Sequence, residues 1–246
     1  MSRTALSVES VWKAFGSESV LRGISMNVEQ HEVAVLIGAS GSGKSTLLKC
    51  INGLEPVDAG SITIDGDLDV TAFDTDLDAV RRRVGIVFQA YNLFPHMTVL
   101  ANVTLGQCKV LKCTRAEAED RARVLLARFG LADKAGEYPD RLSGGQQQRV
   151  AIVRAVAMSP EILLFDEITS ALDPLLVGEV LDAVRELKEE GLTIVMATHE
   201  MGFAREAADL VCFLDGGVVL EEGTPEQVLG APIEQRTREY LARFLG

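Results

Sequence analysis

The sequence is poor in cysteine, and the four cysteines that it has are scattered. They stand at positions 50, 108, 113 and 212, so no two of them form a C-x-x-C pair. Such spacing argues against a disulfide framework or a zinc site. We therefore expect reduced thiols, most of them buried.

Positive charge is also scarce. Lys and Arg total 24 against 36 Asp and Glu, which gives a net charge of −12. A broad nucleic-acid surface needs clustered Lys and Arg to neutralise phosphates, so we predict that nucleic acid is not a partner. A small nucleotide stays allowed, because it needs only a local nest of amide groups and one or two cations.

Long apolar runs are missing as well. No run approaches the roughly 20 residues that cross a bilayer, and residues 1–4 lack the apolar stretch of a secretory signal. If the chain serves a membrane, we expect it to act peripherally, from the cytoplasmic side and through a partner.

The remaining composition predicts a mixed α/β fold, because 47% of the residues are hydrophobic and recur with both strand and helix periods. Residues 24–28 alternate as half-exposed antiparallel strands do, whereas residues 33–37 form a continuous run typical of a strand covered on both faces. The first ~90 residues predict strands, one helix and strands again. The middle, at 91–157, is helical in pattern, and strand–helix alternation returns from Ile162.

A Gly/Ser-rich loop follows the strand predicted at 33–37 and precedes a helix predicted from about Ser45. It matches G-x-x-x-x-G-K-[ST], in which glycines let backbone amides point at phosphate oxygens and the helix N-terminus adds partial positive charge. We expect Lys44 to reach the β- and γ-phosphates and the Ser45 hydroxyl to bind Mg²⁺. The alternative is a Gly/Ser-rich turn with a chance lysine. The predicted phosphate-binding residues are Gly38, Ala39, Ser40, Gly41, Ser42, Gly43, Lys44, Ser45 and Thr46.

Two carboxylates end the apolar strand predicted at 162–165. This position places Asp166 near a magnesium ion bound at the loop, and leaves Glu167 to polarise an attacking water as general base. The alternative is a buried strand that ends in a solvated acidic turn.

A second candidate anion site is Ser143-Gly144-Gly145-Gln146, which directly precedes an apolar helix. Ser143 and Gln146 can form a capping box, and the two glycines leave the free N–H groups of the helix unobstructed. The alternative is a well-capped structural helix.

Taken together, these motifs resemble the ATP-binding subunits of ABC transporters over essentially the whole chain, because residues 142–146 match that superfamily's signature. The resemblance implies the ABC ATPase fold, in which a P-loop NTPase core carries an antiparallel β subdomain and an inserted helical subdomain. It also implies ATP and Mg²⁺, and an ATP-dependent, head-to-tail homodimer. In that dimer Ser143, Gly144 and Gly145 of one copy grip the γ-phosphate bound to the Lys44 loop of the other.

The resemblance assigns roles to residues that have ordinary explanations by themselves. Gln89 resembles the glutamine that contacts magnesium and links to the membrane subunits, and His199 resembles the switch histidine at the γ-phosphate. Phe15 resembles the aromatic residue that stacks on adenine, and residues 170–173 resemble the loop that crosses the dimer interface. Without the family, Gln89 is a loop amide, and a phenylalanine or a lone histidine is more often structural.

One branch of the family resembles the chain closely. Residues 91–99, 146–149 and 199–204 are similar to those of the polar amino acid importers. This implies transmembrane permease subunits that contact residues 91–103 at the cytoplasmic face of the membrane, and a solute-binding protein that acts indirectly. It also implies a single domain over 1–246, with 1–90 and 158–246 forming the nucleotide-binding core and β subdomain and 91–157 the helical signature subdomain.

One position departs from the family pattern. Relatives usually carry proline after the catalytic glutamate, whereas this chain has Ile168. Proline would fix the local backbone and remove a donor, so we expect a less constrained turn here. Two other classes share parts of the pattern: a P-loop kinase, which has no reason to carry residues 143–146, and a soluble ABC protein of translation or repair, which tends to have tandem cassettes or long coiled-coil insertions.

Overall fold

The computed structural model describes residues 3–245, with side chains described through Arg243. A mainly parallel sheet of six strands forms its centre, in the order β10-β9-β3-β8-β7-β6. Its strands are β3 (Val33–Ile37), β6 (Val84–Phe88), β7 (Ile162–Asp166), β8 (Thr193–Ala197), β9 (Leu210–Asp215) and the antiparallel edge strand β10 (Val218–Gly223). Because β3, β7 and β8 are parallel neighbours, the residues that follow them meet at one edge of the sheet.

A second, antiparallel sheet has the order β2-β1-β4-β5 within the described chain. It contains β1 (Thr4–Phe15), β2 (Glu18–Glu29), β4 (Ala59–Ile64) and β5 (Leu68–Asp69). Along β2 the buried residues alternate with exposed ones through Ile24, Met26 and Val28, as the sequence predicts for a sheet with one solvated face.

Side-chain caps fix the starts of several helices. Thr114 and Glu117 form the predicted capping box, and Asp173 caps the helix that begins at Pro174. The helices are α1 (Lys44–Ile51), α2 (Leu77–Arg83), α3 (Val99–Lys109), α4 (Arg115–Arg128), α5 (Gly144–Val156), α6 (Pro174–Glu189), α7 (Met201–Ala207) and α8 (Gln235–Leu245). Shorter turns of 3-10 helix at Ala132–Lys134 and Pro139–Arg141, and a π-helical turn at Glu226–Gly230, connect them.

The prediction of one helix among the first ~90 residues was wrong, because α2 is a second one. Asp76 caps it by accepting a hydrogen bond from the Asp78 amide. Val80 is its one buried residue, so the helix has no apolar stripe that periodicity could detect. Its visible signal is the N-terminal aspartate and the arginines of its last turn.

The central sheet separates two hydrophobic clusters. Val33, Val35 and Ile37 of β3 face one cluster, whereas Ala34 and Leu36 face the other. Both faces of the strand are therefore covered, as its continuous apolar run predicts. No helix between residues 3 and 245 is long and apolar enough to cross a membrane.

Candidate active site

Three parallel strands bring Lys44, Glu167 and His199 together. The loop of residues 38–43 leaves β3 and enters α1, Glu167 follows β7, and His199 follows β8. The three connections meet at the carboxyl edge of the central sheet, where ligands bind in open α/β folds.

Two glycines shape the loop before α1. Gly38 has a φ of 148° and Gly43 a φ of 104°, both in a region that disfavours other residues. A Cβ at Gly38 would overlap the carbonyl oxygen of Leu214, and one at Gly43 would lie 2.7 Å from a methyl group of Leu21. The loop therefore needs glycine at both ends to fold this tightly against its neighbours.

Lys44 is 3% exposed and its ammonium group lies inside the loop. Its Nζ donates to the carbonyl oxygens of Gly38 at 2.9 Å and Ala39 at 3.2 Å, and lies 3.4 Å from Glu167 Oε1. A buried cation needs such acceptors. Close by, the buried hydroxyl of Ser42 has no hydrogen-bond partner among the described residues, so the loop can accommodate an additional acceptor such as a phosphate oxygen.

Ser45 and Asp166 link the loop to the end of β7. The Ser45 hydroxyl donates to Asp166 Oδ1 at 2.6 Å. Burial raises the pKa of Asp166, and the Ser45 hydrogen bond opposes that rise. A hydroxyl and a carboxylate are hard oxygen ligands of the kind Mg²⁺ prefers, so the pair fits that ion. The described residues hold no cluster of three or more His, Cys, Asp or Glu suited to a metal.

Glu167 sits in a constrained turn at the centre of the site. Its φ is 49°, its amide donates to Ala197 O at 3.0 Å, and its carbonyl accepts from the Ser170 amide at 3.1 Å. Ile168 is 1% exposed and packs in the larger core cluster. Hydrogen bonds and the buried side chain of Ile168 therefore hold the turn. The turn is constrained by these contacts although it lacks the proline that is usual in relatives.

His199 connects Glu167 to the C-terminal helix. Its Nε2 lies 3.2 Å from Glu167 Oε1, and its Nδ1 lies 3.3 Å from the Tyr240 hydroxyl. Sequence reasoning missed Tyr240 as a residue of this site, because nothing in its spacing indicates that α8 returns to the loop.

The second predicted anion site stands apart from the first. Ser143 caps α5: its hydroxyl accepts from the Gln146 amide, and the Gln146 side chain accepts from the Ser143 amide. This confirms the predicted capping box. No hydrogen bond among the described residues joins Ser143, Gly144, Gly145 or Gln146 to the loop of residues 38–45.

Comparison with known proteins decides the family. The sequence profile of the ABC transporter family matches residues 21–170. The chain belongs to the ABC transporter family. It is 51% identical over 95% of its length to a glutamine transport ATP-binding protein of Geobacillus stearothermophilus, of which 96% is covered. It is also 51% identical, over the full length of both chains, to an arginine transport ATP-binding protein of Corynebacterium glutamicum.

Solved structures agree with this assignment. A dimeric ATP-binding cassette in a post-hydrolysis state, bound to ADP and phosphate, superposes with a TM-score of 0.81 and 34% identity. The match covers 90% of this chain and 99% of that one. The fold is therefore that of an ABC ATPase, as the sequence predicts.

Two other residues that the ABC resemblance singled out lie outside the hydrogen-bonded group. Phe15 ends β1 with 48% of its surface exposed, so it is not a core residue. The Lys13 ammonium lies 5.1 Å from the centroid of its ring, at cation–π distance. Gln89 follows β6 and is exposed. The structure thus gathers Lys44, Ser45, Asp166, Glu167 and His199 into one group. Phe15, Gln89 and residues 143–146 lie outside that group.

Proposed function

We propose that this chain is the ATP-binding and ATP-hydrolysing subunit of an importer that takes up an amino acid or a similar small polar solute through separate permease subunits. The observation that carries the proposal is the contact of Lys44 and His199 with the same carboxylate oxygen of Glu167. The curated relatives support the solute class, because they are named for glutamine and arginine transport. The two relatives are equally identical in sequence to this chain but are named for different amino acids. We therefore propose the class of solute and not the individual amino acid.

The phosphate loop holds the nucleotide in this proposal. The triphosphate takes the place of the loop carbonyls and of Glu167 as partner of the Lys44 ammonium, and the residues 38–46 surround it. Ser45, Asp166 and Gln89 hold Mg²⁺, which neutralises charge on the phosphate oxygens when it is bound. Phe15 offers its exposed ring face to the adenine base.

Glu167 is the general base. The Lys44 ammonium first exchanges this carboxylate for the nucleotide. The carboxylate then accepts a proton from a water whose oxygen bonds to the γ-phosphorus, while the bond from the γ-phosphorus to the bridging oxygen breaks and ADP leaves with that oxygen. His199 directs Nε2 toward the same position and orients the γ-phosphate. The cation of Lys44 stabilises the charge that develops during transfer.

A second copy of the chain completes the site. Ser143, Gly144 and Gly145 of that copy offer the amide groups at the start of α5 to the γ-phosphate, and residues 170–173 cross the interface. The solved neighbour that is dimeric supports this arrangement. We propose residues 91–157 as the helical signature subdomain, and 1–90 with 158–246 as the nucleotide-binding core and β subdomain.

The permease docks on the helical subdomain. A surface cavity of about 490 Å³ lies there, lined by Asn92, Phe94, Asn102, Leu105, Gly106, Lys109, Val110, Arg154 and Met158. Phe94 and Val110 are both exposed in it, which suits an apolar partner surface with a polar rim. In this proposal the chain lies at the cytoplasmic face of the membrane, and the solute-binding protein acts on it only through the permease.

Glu167→Gln tests the catalytic and dimeric parts together. We expect this variant to bind ATP without hydrolysing it and to accumulate as a dimer in size-exclusion chromatography. Adding Ser143→Arg should keep ATP binding and abolish the dimer, because Ser143 belongs to the neighbour's site. Ser159→Arg, beyond the other end of α5 and also exposed, is the matched control and should leave the dimer intact. Hydrolysis by Glu167→Gln at the normal rate would show that the base is another residue.

A further inference from the structure

The C-terminal helix α8 reaches the phosphate loop through one side chain. Tyr240 is 8% exposed and its ring packs on Phe213 with 5.2 Å between centroids. Its hydroxyl lies 3.3 Å from the carbonyl oxygen of Gly38 and 3.3 Å from His199 Nδ1. A single phenol therefore contacts both the loop that holds Lys44 and the histidine that faces Glu167.

The helix that carries Tyr240 is fixed against the central sheet. Arg236 pairs with Asp215 at the end of β9, with 3.1 Å between Nε and Oδ2. At the start of the segment, the Glu221 carboxylate accepts hydrogen bonds from the amides of Ile233 at 2.7 Å and Glu234 at 3.1 Å. Tyr240 thus approaches the site from a rigid support, as a positioning group requires.

The Tyr240 hydroxyl can donate its hydrogen bond either to the Gly38 carbonyl oxygen or to His199 Nδ1. Burial raises the pKa of Tyr240, so the group is a neutral phenol with one proton to donate at physiological pH. If the hydroxyl donates its hydrogen bond to the Gly38 carbonyl oxygen, the phenol oxygen can accept one from Nδ1–H of His199. If the hydroxyl donates to Nδ1 instead, the neutral imidazole carries its own proton on Nε2. In both arrangements Nδ1 faces α8 and Nε2 faces Glu167.

We propose that Tyr240 is a positioning residue for ATP hydrolysis, which holds the His199 ring so that Nε2 points at the γ-phosphate and which ties that ring to the Gly38 carbonyl of the phosphate loop. This inference rests on the proposed function, since it assigns a support to the same histidine. Gly38 O also accepts from Lys44 at 2.9 Å. Tyr240 and the catalytic lysine therefore share one acceptor, and α8 becomes part of the catalytic apparatus rather than a terminal appendage.

Tyr240→Phe tests the proposal, because it removes the hydroxyl and keeps the ring on Phe213. We expect kcat for ATP hydrolysis to fall about tenfold, the effect of one net hydrogen bond, with KM for ATP unchanged. In ¹⁵N NMR of the nucleotide-free protein, the His199 Nδ1 resonance should move toward that of a free imidazole. The chain has three histidines, so His199→Gln assigns the signal.

Gln235→Ala is the matched control on the same helix. It removes an exposed hydrogen bond from the Gln235 side-chain amide to Glu239 Oε1, so kcat should stay within about twofold and the His199 resonance should not move. Thermal unfolding of both variants separates this outcome from a general loosening of α8.

Two results would overturn the inference: a Tyr240→Phe enzyme with wild-type kcat, or one with reduced kcat and an unmoved His199 resonance. The proposed function fails separately, if Glu167→Gln still hydrolyses ATP at the normal rate. A dead Glu167→Gln beside a fully active Tyr240→Phe would therefore remove the role of Tyr240 alone.

Discussion

The two candidate anion sites of this chain are built in opposite ways. At the phosphate loop, Lys44, Ser45, Asp166, Glu167 and His199 form a continuous set of contacts between three elements. At the start of α5, Ser143 and Gln146 bond to each other and Ser143 is exposed. The first site is anchored in the core, whereas the second is a capped helix end at the surface.

Under the proposed function, half of the nucleotide site is therefore formed within one chain, and the other half is presented at the surface to a second copy. A buried cation such as Lys44 has to be paired in the resting protein, and Glu167 supplies part of that pairing until a phosphate arrives. An exposed helix N-terminus needs no such partner, because water satisfies it. In the proposed dimer, the surface half meets its ligand only when another copy brings one. Variants should therefore separate the two halves.

Lys44→Ala gives the largest expected effect. Removing the cation that faces developing charge should lower ATP hydrolysis by about 10²–10³-fold, measured as phosphate release. Lys49→Ala removes a charge from the last turn of the same helix and should keep most of the activity. Comparable losses in both variants would mean that the charge of α1, and not the position of Lys44, matters.

Ile168→Ala tests how much the core packing next to Glu167 stabilises the first half of the site. The side chain is almost fully buried, so its truncation should lower the free energy of unfolding by about 2–4 kcal/mol through lost packing and a cavity. Urea denaturation measures this value. Leu175→Ala, a few residues away with 88% of the side chain exposed, is the control and should change it little. Equal stabilities would show that the turn depends on its backbone hydrogen bonds alone.

The capping box at the start of α5, the second half of the site, can be compared with the same motif at the start of α4. Thr114 caps α4 and Ser143 caps α5 with the same reciprocal bonds. Either alanine variant should lose about 1 kcal/mol of stability. Only Ser143→Ala should also lose hydrolysis, by about tenfold, since only the start of α5 is proposed to offer its amide groups to a phosphate. If both variants hydrolyse ATP equally, α5 is a structural helix.

Much of this arrangement could be predicted because the information is local. The loop of residues 38–45, the carboxylates at the end of β7 and both capping boxes are short strings whose geometry follows from their own residues. The parallel strands then bring the ends of β3, β7 and β8 to one edge. A continuous apolar run was enough to indicate such a strand.

The remainder could not be predicted because it depends on distant contacts. Tyr240 meets Gly38 across 202 positions of sequence, and no periodicity encodes that meeting. Helix α2 escaped detection since it buries one residue, Val80. Phe15 illustrates the same limit, because general burial preference favours the core for phenylalanine whereas the end of β1 leaves the ring half-exposed.

The thiols give the smallest effect and report how well the elements of the first half are buried. Cys50 in α1 and Cys212 in β9 are buried, whereas Cys108 and Cys113 are half-buried around the end of α3. Burial raises the pKa of Cys50 to about 12 and also raises that of Cys212. The folded chain keeps these protons above pH 9 while the unfolded chain loses them, so alkaline pH favours unfolding.

Iodoacetamide at pH 8 should therefore modify Cys108 and Cys113 and spare Cys50 and Cys212, because the thiolate is the reactive form and needs access. Peptide mass mapping measures each site, and the urea-unfolded chain is the control in which all four should react. Rapid modification of Cys50 in the folded protein would mean that α1 opens locally, and the first half would then be less rigid than its burial indicates. Since Cys50 lies six residues after Lys44 on the same helix, its protection also reports how steadily the core holds the lysine in place.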